Sequence, residues 1–493
     1  MALRPSKRIR RSRPVKRTVK PRHAKPHAKR AGARKRISSD ELRLRRRHAI
    51  HGLLVLPLLG ALYFFFGLQN AQPVWPNALA DELPRGRILA RDGTVFAEGD
   101  YDYRQYPQGT LAAHIIGFSG QRQADDSYGL EGLEKTQDSE LTLGEDITIT
   151  LDPYMQSVAQ SKLRDAVRSS GAENGSAVIL EAGTGRILAS VSYPDYDPNA
   201  QSKLRRRDVI FNKAFLNLYE PGSVMKPFVV AALLEEGKLR LDETIPTPEK
   251  LQVGDQIFYE TARHDPYLTP WGILKYSSNS GMLELTKRLS DDELFAWYQH
   301  FGFGRDIPVP SVYTRAGELR NTPWVPQDQA AITIGQSMST TTLQLAAAYS
   351  IFANDGLYVP PYLVEGDETA QPQQMLSSET ARTLRAMLTY VVESNEVMNP
   401  MMAPQVSVAG KTGTADIFDF ETGSYIEDDY TLTFAGMFPA DKPRVTMVVS
   451  MQKPRRDTHS TTVVAPLFGA VQREIVSLWS PTSGAALALS EGE

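Results

Sequence analysis

From His48 to Ala80 the chain carries no formal charge, and within that window Ala49–Leu68 is apolar almost throughout. Leu53, Leu54, Val55, Leu56, Leu58, Leu59 and Leu62 lead into Tyr63, Phe64, Phe65 and Phe66. Such a run, as a helix rising about 1.5 Å per residue, spans roughly 30 Å, the thickness of one hydrocarbon core. Pro57 can kink it, His51 suits the entry interface, and Tyr63 and Trp75 suit the exit. The preceding residues 1–47 hold 20 Lys/Arg against two acids, Asp40 and Glu41, with Arg43, Arg45, Arg46 and Arg47 abutting the run. Positive charge stays on the cytoplasmic side, so the sequence predicts a single-pass anchor in the inner (plasma) membrane, with a cytoplasmic N-terminus and an extracytoplasmic (periplasmic) remainder. A cleaved signal peptide is the competing reading, with Ala78-Leu79-Ala80 as its site. The long basic region and the distance of that site from the apolar run argue against it.

The tail has almost no large apolar residues and cannot bury a core, so 1–47 reads as disordered. A polybasic tail can bind nucleic acid, but contact with anionic lipid or fixing of topology is the expected role here, and no nucleic-acid partner is expected. With a net charge of −2 over 493 residues, the rest of the chain is strongly acidic. The sequence contains no cysteine, which excludes disulfides, thiolate metal sites and a Cys nucleophile. The expected organisation is 1–47 tail, 48–69 transmembrane anchor, 70–150 a small β-rich membrane-proximal region, 151–480 a large α/β domain and 481–493 a disordered end.

Past the anchor, Arg85–Ala97 reads as strand, Asp92-Gly93 turn, strand, and Ile147–Leu151 alternates as a strand. Leu130–Glu134 begins a helical stretch. Asp152-Pro153 opens a helix carrying Met155, Val158, Leu163, Ala166 and Val167 and stopping near Gly171. Ala177–Leu180 and Ile187–Val191 form a hairpin, 223–400 is rich in helix, and Val406–Thr414, Leu432–Phe438 and Val445–Met451 are strands. Pro466–Trp479 is a closing amphipathic helix. Strands at both ends of a helical middle require one antiparallel sheet assembled from distant segments.

Three segments could carry chemistry. In Glu220-Pro221-Gly222-Ser223-Val224-Met225-Lys226-Pro227, Pro-Gly breaks the chain and an all-round apolar helix follows, which puts Ser223 in its first turn. Lys226, three residues on, shares a face with Ser223. A hydroxyl needs a base to become a nucleophile, and a desolvated lysine can serve. Ser277-Ser278-Asn279-Ser280-Gly281 reads as a loop, either a plain helix cap or a hydroxyl (Ser277) and an amide (Asn279) aimed into a cleft. In Gly410-Lys411-Thr412-Gly413-Thr414, period 2 puts Thr412 and Thr414 on one face, and Gly410 and Gly413 leave room for close backbone approach. Each segment alone is weak, since a capping Ser, a solvated Lys and a bulged edge strand explain them equally. His114, His264, His300 and His459 have no metal spacing and read as ordinary hydrogen-bonded residues. No metal or cofactor is implied.

S-x-x-K, S-x-N and K-T-G in this order are the motif set of penicillin-binding proteins and class A β-lactamases. The chain resembles a class B penicillin-binding protein, a peptidoglycan DD-transpeptidase, over roughly 85–476, and resembles the division-specific FtsI branch more than the elongation branch. Besides the motifs, Arg85–Ala97, Leu111–Phe118 and Gly129–Glu134 carry the resemblance. It implies the penicillin-binding transpeptidase / serine β-lactamase-like α/β (α+β) fold, a central antiparallel sheet with helices on both sides. It also implies roles. Ser223 would attack the D-Ala-D-Ala carbonyl of a stem peptide, releasing D-Ala, with Lys226 taking its proton and Ser277 relaying a proton to the departing amine. Asn279 would hold the substrate amide. Thr412 and Thr414, with Lys411 and the intervening Gly413, would grip the terminal carboxylate, and the N–H groups of Ser223 and Thr414 would form the oxyanion hole. An amine of a second stem peptide would then take the acyl group, and β-lactams would acylate Ser223.

Two departures from the family pattern stand out. Fewer than ten residues separate the Arg85–Ala97 stretch from Tyr106–Phe118, where the family usually has a long segment, so the pedestal is expected to be reduced. Residues 70–150 leave no room for a glycosyltransferase domain, which implies an FtsW-type membrane polymerase and other divisome membrane proteins as partners. Carboxypeptidases and β-lactamases share the three motifs, and an elongation-branch transpeptidase remains an alternative. A β-lactam sensor would need more spans, and a non-catalytic scaffold would be expected to have lost motif residues.

Overall fold

The computed structural model describes residues 84–479 except 102, 126, 204–206, 368–370, 420, 421 and 423. Residues 1–83, with the expected anchor and basic tail, and residues 480–493, with the expected C-terminal tail, lie outside these residues. Among the described residues no helix is long and apolar enough to cross a membrane.

The Asp92-Gly93 turn forms as expected. Strands β1 (Ile88–Ala90) and β2 (Val95–Ala97) pair antiparallel across it, with Gly93 at φ +84° and its N–H on the Ala90 carbonyl at 3.0 Å. Strand β3 (Ile147–Ile149) adds to β1 in parallel. The segment from 84 to 150 is mixed rather than β-rich, because its short strands alternate with short helices at Ala113–Ile116, Gly132–Thr136 and Asp138–Thr142. Helix formers such as Leu133, Glu134 and Lys135 follow the Gly132 turn and favour helix there.

Helix α1 (Pro153–Ser170) has the predicted ends. The Asp152 side chain accepts the Met155 N–H at 2.9 Å, Pro153 opens the first turn, and Gly171 at φ +71° closes the helix. The expected hairpin is β4 (Asn174–Glu181) with β5 (Ile187–Tyr193). Two further strands, β6 (Lys250–Val253) and β7 (Gln256–Tyr259), form a hairpin inside the helix-rich middle. That middle also holds α2 (Lys226–Glu235), α3 (Pro270–Tyr276), α4 (Asn279–Thr286), α5 (Thr342–Ala353) and α6 (Ser378–Glu393). The chain closes with β8 (Ala409–Asp419), β9 (Ser424–Phe438), β10 (Val445–Gln452) and α7 (Ser460–Trp479).

The main sheet has five strands in the order β8-β9-β10-β4-β5, every neighbour antiparallel. Its centre joins distant chain segments, with Val445 opposite Glu181 and Gln452 opposite Asn174. Register assigns the faces. Ala177, Val449, Phe434 and Thr412 are cross-strand partners on one face, and Phe434 meets Phe468 of α7 at a ring-centroid distance of 4.4 Å. Ser176, Ser450 and Thr433 lie on the other face, where the Ser176 hydroxyl is 2.7 Å from the Thr342 hydroxyl of α5. Helices therefore cover both faces, and β8 forms one edge.

Several boundaries differ from the sequence reading. Helix α7 begins at Ser460 and runs through Pro466, an interior proline that forfeits one backbone hydrogen bond, a cost offset by the burial of Val464, Leu467, Phe468 and Val471 against the sheet. Strands β8 and β9 extend past the main sheet as a two-stranded arm, with a register shift between Asp416 and Ile417. Charged, exposed residues such as Glu427 and Asp428 occupy this arm, which hid it from a search for apolar alternation. Val406–Val408 turns instead of pairing, with the Val406 N–H on the Ala403 carbonyl at 3.2 Å.

Candidate active site

The site begins with a backbone junction. Pro221-Gly222 turns the chain sharply, with Gly222 at φ +65° and its N–H on the Gly335 carbonyl at 2.9 Å. A methyl group at Gly222 would lie 2.6 Å from the Thr414 carbonyl oxygen and 3.3 Å from the Thr414 nitrogen, so β8 runs directly beside this turn. Gly413 permits the same approach from the strand, since a methyl group there would lie 2.6 Å from the Pro221 carbonyl. Ser223 sits in a 3-10 turn, Gly222–Met225, that leads into α2, one step earlier than the first helical turn expected for it. Pro227 occupies the start of α2, the one place where it is harmless. The helix behind is buried from Lys226 to Leu233, and Phe228 packs among Phe301, Phe303, Tyr349 and Phe352 with ring centroids 4.9 to 5.3 Å away.

Lys226 is completely buried. Its Nζ donates to Ser277 O at 2.5 Å, Ser277 Oγ at 3.2 Å and Asn279 Oδ1 at 2.7 Å. These three acceptors use all three ammonium protons. Among the described residues Ser223 Oγ has no hydrogen-bond partner, so the expected Ser223–Lys226 contact is not made in this state. Lys411, on the edge strand and 2% exposed, donates to Ser277 Oγ at 3.0 Å and to Thr412 O at 3.1 Å. Two buried lysines from different elements thus meet at one hydroxyl. Burial, then the repulsion of Lys411, pushes Lys226 well below the ordinary lysine range, with Glu260 acting the other way. Burial pushes Lys411 down to about 7.

Ser277 ends α3 in the left-handed region, at φ +55° and ψ +36°, an uncommon conformation for a non-glycine residue. The next residues correct the sequence reading. Asn279, Ser280 and Gly281 form the first turn of α4 and not a loop, while Ser278 caps it by accepting the Gly281 N–H at 3.0 Å. The capping reading holds, and the capped turn places Asn279 Oδ1 against Lys226 Nζ. The Asn279 Nδ2 donates to Tyr259 O at 2.8 Å, which leaves one amide proton for a ligand.

Thr412 and Thr414 share a face, as period 2 requires, and it is the face opposite Lys411. Thr412 is half-buried, and Thr414 is exposed with its hydroxyl on Ser460 Oγ at 3.2 Å. Beside the Glu220 end of the turn lies a cavity of about 770 Å³ whose lining includes Tyr219, Glu220, Arg315, Arg320, Asp416 and Tyr425. Burial pushes Glu220 up to about 7 although it accepts the Ser337 N–H at 2.8 Å and the Tyr425 hydroxyl.

The sequence reading missed Glu260. It follows β7 and faces Ser278, Asn279 and Ser280. The alternation of Leu251 and Val253, with the apolar pair Ile257-Phe258 on the other side of Gly254-Asp255, was the available signal for its hairpin. The histidines are ordinary in the expected sense. His114 is buried against Val209 O at 2.8 Å and is pushed down to about 4 by that burial, while His264 holds Asp265 O at 2.8 Å.

The family description "Penicillin binding protein transpeptidase domain" matches residues 175–472. Penicillin-binding protein PbpB of Mycolicibacterium smegmatis is 32% identical over 480 residues, covering 86% of this chain and 72% of that protein. Peptidoglycan D,D-transpeptidase FtsI of Escherichia coli is 30% identical over 396 residues, covering 75% of this chain and 66% of that protein. The apo crystal structure of penicillin-binding protein 3 from Mycobacterium tuberculosis superposes with a TM-score of 0.73 at 30% identity, covering 80% of this chain and 96% of that one. The ampicillin complex of the same protein gives 0.73 at 31% identity, covering 83% and 99%. With its five-stranded antiparallel sheet and these relatives, the chain belongs to the class B penicillin-binding proteins of the transpeptidase family, the serine-type D,D-transpeptidases.

Proposed function

We propose that the chain cross-links peptidoglycan stem peptides at the division septum through an acyl-serine intermediate on Ser223. The observation that carries this reading is the Ser277 hydroxyl lying 3.2 Å from Lys226 Nζ and 3.0 Å from Lys411 Nζ, three groups from three separate elements, with Ser223 three residues before Lys226. Two lysines pointing at one hydroxyl can occupy both its lone pairs, which directs its proton into the cleft, toward a departing amine.

In the proposed sequence, Ser223 Oγ attacks the carbonyl between the two terminal D-alanines while neutral Lys226 takes its proton. Ser277 donates its proton to the leaving amine and is reprotonated by the lysine pair, and D-Ala departs. The Ser223 and Thr414 N–H groups hold the oxyanion, a contribution worth about 3–4 kcal/mol for one donor. Asn279 offers its remaining amide proton to the substrate backbone, and Thr412, Thr414 and Lys411 take the terminal carboxylate along the edge of β8. The amine of a second stem peptide then attacks the ester carbonyl and loses its proton to Lys226, which passes that proton to the departing Ser223 Oγ as the ester C–O bond breaks, restoring the Ser223 hydroxyl and neutral Lys226. β-Lactams enter by the same attack. The septal assignment rests on the FtsI and PbpB relatives. The proposal extends to an anchor at 48–69 that leaves the catalytic part outside the membrane, and to an FtsW-type polymerase supplying the glycan strands.

The test is covalent labelling of the full chain, in detergent, with a fluorescent penicillin. The expected result is one acyl adduct on the Ser223 peptide, absent from Ser223→Ala of unchanged circular dichroism. Labelling that persists in that variant would refute the site. Nitrocefin hydrolysis without a stable adduct would make water the acceptor and the protein a β-lactamase.

A further inference from the structure

The lysine pair needs a counter-charge and a rigid backing, and one carboxylate outside the three motifs supplies both. Glu260 lies at the end of β7 with its side chain 6% exposed. Its Oε1 accepts the Ser278 hydroxyl at 2.8 Å, the Ser280 N–H at 2.8 Å and the Ser280 hydroxyl at 2.5 Å. Its Oε2 accepts the Asn279 N–H at 3.1 Å and lies 3.2 Å from His264 Nε2. The preceding residue, Tyr259, takes the Asn279 side-chain amide on its carbonyl. Two consecutive hairpin residues therefore grip all of Ser278–Ser280. This is also the N-terminus of α4, where negative charge is favoured.

We infer that Glu260 is a positioning residue for the reaction. Acting through Ser278–Ser280, it locks Ser277 and Asn279 against Lys226, and its charge offsets the repulsion between Lys226 and Lys411. The inference rests on the acyl-serine reading of the site. Asn279 Oδ1 can face Lys226 only while the first turn of α4 is fixed, and Ser277 can keep its left-handed conformation only while the residue after it is anchored. A carboxylate buried among these donors stays ionised, because burial pushes Glu260 up but the hydrogen bonds from Ser280 and Ser278 outweigh it and hold it below the usual range.

The experiment uses the full chain in detergent and a fluorescent penicillin as probe, and measures the acylation rate constant of the wild type, Glu260→Gln and Glu260→Asp as a function of pH. The groups facing one another are Lys226 on α2, Lys411 on β8, and Glu260 with His264 after β7. Glu260→Gln removes a charge that favours the Lys226 ammonium, so Lys226 becomes neutral at lower pH. The acid limb of the profile should move toward acid while the maximal rate falls about 10- to 100-fold, the scale of misplacing a reacting group by an ångström. Glu260→Asp keeps the charge and shortens the reach, so its acid limb should stay in place with an intermediate rate. Wild-type rates in both variants would overturn the inference. So would a Glu260→Gln rate that falls only with the folded fraction while the limb stays fixed. If Glu260→Gln fails to fold, Glu260→Asp decides alone, since a wild-type rate there excludes a positioning role. Absence of any Ser223 adduct in the wild type would instead refute the underlying reading.

Discussion

At Ser277 a single hydroxyl oxygen lies within hydrogen-bond reach of two buried lysines, and this fixes how the site must respond to pH. A lysine whose pKa is depressed is neutral above that value and charged below it. Burial and the charge of Lys411 depress Lys226, and burial alone brings Lys411 to about 7. In the proposed mechanism the base function needs Lys226 neutral, so acylation rises with pH through an acid limb. In the same mechanism recognition of the substrate carboxylate needs Lys411 charged, so it weakens as pH passes about 7. The lysines are coupled across Ser277, and the two limbs belong to the pair. The second-order rate constant for acylation by a penicillin, followed from about pH 5 to about pH 9, should be bell-shaped. A flat profile would mean that neither lysine changes charge in the working range.

At the scale of elements, the turn that carries Ser223 is held from behind by α5. The buried Tyr349 hydroxyl donates to the Val224 carbonyl at 2.7 Å, in the middle of that turn. Tyr349→Phe keeps the ring among Phe228 and Phe352 but leaves a buried carbonyl unpaired, a loss of about 1–3 kcal/mol. We expect a lower urea midpoint of that size, together with slower acylation than the loss of folded protein accounts for. A variant with wild-type acylation would show that α5 supports the core but not the geometry of Ser223. Tyr349 was invisible in the sequence because its partner is a backbone carbonyl 125 residues away. The elements with strong local signals were legible. All-round apolarity with Pro227 marked α2, Asp152 and Gly171 marked both ends of α1, and the three motifs marked the segments from which Lys226, Ser277 and Lys411 come together. What was not legible depended on packing. The β6–β7 hairpin is too short to stand out within a helical stretch, and the Glu260 that it delivers touches the site only through a cap. Pro466 looked like a start because propensity speaks for a few residues, whereas the burial of α7 is settled by the whole sheet.

At the scale of the whole described chain, residues 84–150 are bound to the rest by polar contacts as well as by core packing. The Thr136 hydroxyl donates to Ser311 O at 2.5 Å, and Ile149 bridges to Val364. Inside this segment a buried charge cluster ties three stretches together. The Glu134 carboxylate, with no exposed side-chain surface, takes Arg85 at 2.8 and 2.9 Å and Arg104 at 2.7 Å, and its backbone carbonyl accepts Arg85 again at 2.9 Å. Forming such a cluster gains little net stability, because desolvation cancels most of the attraction, but removing one member strands the others. Glu134→Gln leaves Arg85 with Asp138 at 2.8 Å and Arg104 with the Gly99 carbonyl at 3.0 Å, neither of which replaces a shared buried carboxylate. The expected cost is about 3–5 kcal/mol in urea denaturation, with new proteolytic cleavage between 85 and 150 preceding loss of penicillin labelling at Ser223. The open pair Arg87–Asp146, at 2.6 Å and largely solvated, is the control, and Asp146→Asn should leave the midpoint nearly unchanged. Equal small effects for the two substitutions would mean that apolar packing around Ile88, Phe96 and Leu133 alone holds this segment together.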